Sequence, residues 1–124
     1  MKLGCSYFGN RILKHVAEDM KYLADNHFTY VVHTFSENDF RFYAGTMKEI
    51  IRISKDCGLE TLIDPWGVGR VFGGEAFSEF VAFHPEECQM LNDGKPSANA
   101  CPNNPKFRTF MKNWIETAVG TGAD

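Results

Sequence analysis

The sequence predicts an α/β fold with parallel strands, and three observations carry that expectation. Three short runs rich in β-branched and aromatic residues begin roughly 30 residues apart, the length of a βαβ unit. Between them lie stretches whose apolar residues repeat at helical spacing. Gly or Asn marks most switches of pattern, and Ser36 marks another. Right-handed crossovers would make the strands parallel and place the helices outside them. The expected order is βαβαβ, then a long loop, then a third helix, in a single domain over 1–124.

The first strand is read at Leu3 to Phe8, closed by Gly9-Asn10. Asn10 is suited to cap the next helix. Its apolar stripe is Ile12, Leu13, Val16, Met20 and Leu23, and Asn26 is a reasonable stop. Phe28 to Phe35 holds Tyr30-Val31-Val32, the core of a buried strand. Ser36 with Asp39 three residues on resembles a capping box. Phe40, Tyr43, Met47, Ile50 and Ile51 form the second stripe, and Gly58 takes the C′ position. Thr61-Leu62-Ile63 is the third strand and runs into Asp64-Pro65-Trp66-Gly67.

The stretch from Asp64 to Asn104 breaks the alternation. Phe77, Phe80 and Val81 suggest a short helix within it, and Asn92-Asp93-Gly94 a tight turn with a small hairpin. Asn104-Pro105 opens the last helix, with Pro105 at the first helical position. Phe107, Phe110, Met111, Trp114, Ile115 and Ala118 are its expected buried face. Loops of this length in a compact domain are usually functional or disordered. The Trp, Phe, His and Cys content of this one argues against disorder.

Composition narrows the classes of partner. The chain has 124 residues, 44% hydrophobic and 23% charged, ordinary values for a globular domain. A net charge of −3 supplies no basic field, so no nucleic-acid partner is expected. No apolar run reaches the roughly 18 residues of a membrane span. The polar N-terminus does not read as a signal peptide, and a cytoplasmic location is expected. The four cysteines, Cys5, Cys57, Cys88 and Cys101, form no CxxC pair. Cys5 and Cys57 read as buried inert thiols. Cys88 and Cys101 share one loop and read as free thiols in a reducing compartment.

Parallel βα folds bind ligands at the C-terminal ends of their strands. That rule selects Tyr7 and Phe8, then His33, Thr34 and Phe35, then Asp64 and Trp66. The long loop leaves the same face and adds Arg70, Glu75, His84, Cys101 and Asn103. Asp64 has the chemistry of a base, a nucleophile or an acceptor for sugar hydroxyls; its plain alternative is a carboxylate capping its own loop. Trp66 offers a flat apolar face for a sugar ring, or a plug for the strand ends. His33 is suited to proton transfer, or to a structural bond with a neighbouring element. Glu75 is a second acid or an acidic first-turn residue favoured by the helix dipole. Arg70 can hold a carboxylate or phosphate. His33, Asp64, Glu75 and His84 could together hold a metal, but their spacing identifies no site, and no metal or cofactor is expected.

The runs Asp64-Pro65-Trp66-Gly67, Phe72-Gly73-Gly74-Glu75, His84-Pro85-Glu86 and Ala100-Cys101-Pro102-Asn103-Asn104-Pro105, followed by a helix, resemble the N-terminal half of glycoside-hydrolase-like (β/α)8 barrels. The resemblance spans most of the chain. It implies a partial (β/α)8 barrel and a carbohydrate ligand. Asp64 and Glu75 would be the catalytic carboxyls. Tyr7, His33, Trp66, Arg70 and Asn103 would be the substrate-binding residues. In that family the fourth strand commonly delivers a carboxylate, which would follow Asp124. A complete barrel needs about 250 residues. The expectations are therefore a half barrel with an incomplete catalytic set, and either self-association or pairing with a C-terminal half. The alternatives are a non-catalytic self-associating fragment and a metal-dependent sugar isomerase or epimerase.

Overall fold

A computed structural model describes residues 1–73 and 76–124. Strand β1 (Gly4–Tyr7) leads to helix α1 (Leu13–Asp25), β2 (Tyr30–Thr34), α2 (Glu37–Phe42), α3 (Ala44–Asp56) and β3 (Glu60–Asp64). The long segment then holds α4 (Glu79–Phe83) and a hairpin of β4 (Cys88–Met90) and β5 (Pro96–Ala100). Helix α5 (Pro105–Gly120) follows. No helix among the described residues is long and apolar enough to cross a membrane.

β1, β2 and β3 form one parallel sheet in sequential order, and β4 pairs with β5 in a separate antiparallel ribbon. Sequential order with crossovers of one hand places successive helices on the same side of a sheet. Here Val16 and Met20 of α1, Met47, Ile50 and Ile51 of α3, and Trp114 and Ala118 of α5 share one core with Val31 and Phe35. Side chains alternate between the faces of a strand, so register decides which residues join that core. Cys5, Val31 and Thr61 pair in one row and Tyr7, His33 and Ile63 in another, both facing the helices. The row between them, Ser6, Val32 and Leu62, lies on the opposite face, where Ser6 and Leu62 are exposed and Val32 is half-buried.

The chain after α5 returns to this sheet. The N–H of Asp124 donates to the Thr61 carbonyl at 2.9 Å. Its carboxylate accepts from the Thr61 N–H (2.9 Å) and hydroxyl (3.0 Å). Those bonds, with Lys55 beside it, draw the Asp124 carboxyl down to about 2. The indole N–H of Trp114 donates to the Phe35 carbonyl, fastening α5 to the end of β2.

Several local expectations change once packing is seen. Asn10 does not cap α1: its side chain accepts from the Ile12 N–H at 3.0 Å, and Ile12 stands at the cap without a side-chain bond. Ile12 (57% exposed) and Leu13 leave the apolar stripe, so α1 is buried only from Val16 onward. The second stripe is split by a break at Tyr43, which gives two helices, α2 and α3. Ile115 is 50% exposed and does not join the buried face of α5. The Ser36–Asp39 capping box is present, as are the Asn104 cap and Pro105 at N1. Gly58 follows α3 at φ 82. Cys5 and Cys57 are half-buried rather than buried. Cys88 stands opposite Ala100, the Cys101 N–H donates to the Glu87 carbonyl, and both cysteines are free thiols.

The long segment is ordered by a small core of its own, Phe80, Ala100 and Phe107, with Phe110 packed against it. Gly69 is held into that core at φ 59, where an added methyl would lie 2.4 Å from the Phe107 ring. A buried carboxylate ties the segment back to the start of α2. Glu37 accepts from the Gly69 N–H (2.8 Å), the Ser78 hydroxyl (2.7 Å) and the Phe80 N–H (2.9 Å). Loop backbone without a ladder needs such partners, because an unpaired buried N–H costs about 1–3 kcal/mol.

Candidate functional site at the strand ends

The C-terminal ends of the three parallel strands open onto a hollow of about 570 Å³. Its volume falls within the roughly 300–1,000 Å³ of small-molecule sites. Each strand contributes through the turn that ends it. After β1, Gly9 at φ 67 turns the chain, the Asn10 N–H donates to the Phe8 carbonyl, and Phe8 and Asn10 reach the wall. Thr34 lines it from the end of β2, followed by Ser36 and Asn38 at the capping box of α2. After β3, the Trp66 N–H closes a turn on the Asp64 carbonyl. The Trp66 ring then meets Phe8 edge to face, centroids 5.8 Å apart at 83°.

One ion pair forms the floor. The Arg11 Nε and Nη2 donate to the two oxygens of Asp39, both at 2.8 Å. The guanidinium also donates to the carbonyls of Asn10 (3.0 Å) and Thr34 (2.7 Å). Both side chains are about nine-tenths buried. Burial opposes ionisation of Asp39. The Arg11 guanidinium and the Ser36 N–H and hydroxyl outweigh it and hold the carboxyl below its ordinary value. Arg11 thus has its charge matched and most of its N–H groups engaged, which leaves little with which to bind an anion. The rest of the wall is aromatic, hydroxyl and amide, with Gly9 and the exposed side chain of Ile12.

The sequence-derived candidates divide. Trp66 and Thr34 come together in this hollow. Asp64 is the register partner of Thr34 at the end of β3, half-buried, and its carbonyl accepts from Phe35 and Trp66. Tyr7 and His33 occupy the row that faces the helices. The Tyr7 hydroxyl bonds Asp19 and accepts from Asn10 (3.0 Å). Burial, then the Asp19 carboxylate, raise its pKa. His33 is fully buried, its Nε2 2.9 Å from the Ser54 hydroxyl, with Nδ1 lacking a partner among the described residues. Desolvation, helped by the Arg11 charge, lowers it to about 4. Arg70 is exposed at φ 56, its carbonyl accepting from Asn99, and it does not line the hollow. Asn103 is exposed in the turn before α5. His84 packs on Phe80, with Nδ1 3.6 Å from Glu86. Glu75 lies outside the described residues.

Sequence reading passed over Arg11, Glu37 and Asn38. Arg11 lies next to an apolar stripe that drew attention to its neighbours. Glu37 and Asn38 sit inside the capping box, whose helix-start signal masked any further role. Among the described residues no three His, Cys, Asp or Glu side chains gather as metal ligands. No protein-family model matches the chain, and a search of curated proteins found no match either.

Proposed function

We propose that this chain is the sugar-holding N-terminal part of a glycoside-hydrolase-like (β/α)8 barrel, with the strand-end hollow as its carbohydrate site. Parallel strands in sequential order, with helices packed on one face only, are what the first units of such a barrel require. The observation that carries the reading is the hollow itself: a Trp66–Phe8 aromatic wall beside neutral hydroxyl and amide groups, with its one charge pair internally matched. Sugars offer an apolar ring face and many uncharged hydroxyls, and this lining complements both. Trp66 would stack on the ring. Asn10 and Asn38 would bond hydroxyls, whereas Asp64 ends β3 without lining the hollow.

Glycoside hydrolysis needs two carboxyl groups roughly 5–9.5 Å apart. Glu37 and Asp39 are both saturated by hydrogen bonds and serve the scaffold. Asp64 is the available carboxylate among the described strand-end residues, Glu75 lies outside them, and turnover by this chain is expected to be negligible. The test is an NMR titration with monosaccharides, repeated on Trp66→Ala and Asn38→Ala. Binding near about 1 mM that both variants weaken supports the reading. Absence of binding, or indifference to both substitutions, overturns it.

A second reading rests on the uncovered face and edge of the sheet. Leu62 is exposed there, and the edge of β3 is engaged only at Thr61 by Asp124 among the described residues. Open parallel edges favour pairing between copies. Light scattering at micromolar concentration that shows only single chains would refute this reading.

A further inference from the structure

The strand-end hollow adjoins a second one. This neighbour measures about 340 Å³ and is walled by Phe42, Ala76, Phe77 and Glu79. Ser36 and Asn38 line both hollows. Each therefore has its own aromatic pair, Trp66 with Phe8 in one and Phe42 with Phe77 in the other, on either side of a shared polar rim.

Phe42 is 64% exposed and Phe77 is 74% exposed. Leaving a phenylalanine in water forgoes most of its burial free energy, so two facing one hollow need an explanation. The second hollow also presents no unpaired cation among the described residues. Glu79 is paired with Arg41, and Glu37 is saturated by its three bonds. Asn38, at the rim, is exposed, and its amide is engaged by no described residue. An amide both donates and accepts, so it can bond hydroxyls in either hollow.

We propose that the two hollows are adjoining sugar subsites, and that the ligand is a neutral glycan of at least two linked rings. This rests on the carbohydrate reading above and names its substrate class. Neither hollow is lined by an unpaired cation among the described residues, which selects against uronic acids and sulfated sugars. Once one ring is seated, its linked neighbour binds the second subsite at high effective concentration.

The experiment titrates the chain, by calorimetry and NMR, with glucose, mannose and galactose, and with α-1,4- and β-1,4-linked disaccharides built from them. At least one disaccharide should bind about tenfold more tightly than its monosaccharide. Phe77→Ala should abolish that gain and leave monosaccharide affinity unchanged, whereas Trp66→Ala should weaken both. Phe77 is mostly exposed, so its removal should leave the circular dichroism spectrum unaltered. Equal affinity for mono- and disaccharides, or a gain that survives Phe77→Ala, overturns the two-subsite proposal alone. Failure of every sugar to bind overturns the carbohydrate reading and the proposal together.

Discussion

His33 makes stability depend on pH in a window of its own. The ring is fully buried beneath α3, bonded to Ser54 through Nε2, with Nδ1 unpartnered among the described residues. Desolvation first, and the Arg11 charge second, lower its pKa to about 4. In the unfolded chain an ordinary histidine titrates near 6.5. Between these values the unfolded state binds a proton that the folded state refuses, so stability rises with pH across the window and falls as pH drops through it. At pH 5 the loss relative to pH 8 is about 2 kcal/mol, a sizeable part of the 5–15 kcal/mol typical of a domain. The paired carboxylates Asp39 and Asp124 have lowered values and act below about pH 4, where an unfolded aspartate protonates. Urea unfolding at pH 8, 7, 6 and 5 should show the midpoint falling steadily, with an unchanged denaturant slope. His33→Asn should be less stable at pH 8 and should lose most of the pH dependence. A flat wild-type profile from pH 8 to 5, or the same slope in the variant, would refute the assignment.

Other perturbations follow from the same packing. Asp39→Asn strands the buried Arg11 guanidinium and should cost about 3–5 kcal/mol, whereas Arg11→Met with Asp39→Asn together should recover part of that loss; urea midpoints of the three proteins decide. Glu37→Gln sets an amide N–H against one of the N–H groups that Glu37 accepts, and should cost about 2–3 kcal/mol. Its signature is faster limited proteolysis within residues 66–80, and equal cleavage rates would refute the clamp. Gly69→Ala must fit a methyl against Phe107 at positive φ and should cost about 2–4 kcal/mol, against about 1 kcal/mol for Gly94→Ala in the open hairpin turn. Thermal melts that place the two substitutions together would refute that difference.

The sequence by itself determined the order of the elements, apart from the break at Tyr43 that makes two helices of one apolar stripe. Strand and helix patterns are local, so periodicity located β2, β3, α3 and α5, and side-chain chemistry located the Ser36 box, the Asn104 cap and the Gly58 stop. It also drew attention to the strand ends, because that rule depends only on strand direction. What it could not supply was facing. His33 and Thr34 are adjacent in sequence, yet alternation sends the first into the helical layer and the second to the hollow, and only register with β1 and β3 decides which. Nor could it show that Arg11 and Asp39, 28 positions apart, neutralise each other beneath the site. The same holds for Glu37, whose partners Gly69, Ser78 and Phe80 lie more than 30 residues away. A carboxylate in a sequence carries no sign of whether its lone pairs are free for chemistry or already committed to the backbone. That is settled by which donors the tertiary fold brings within hydrogen-bond reach.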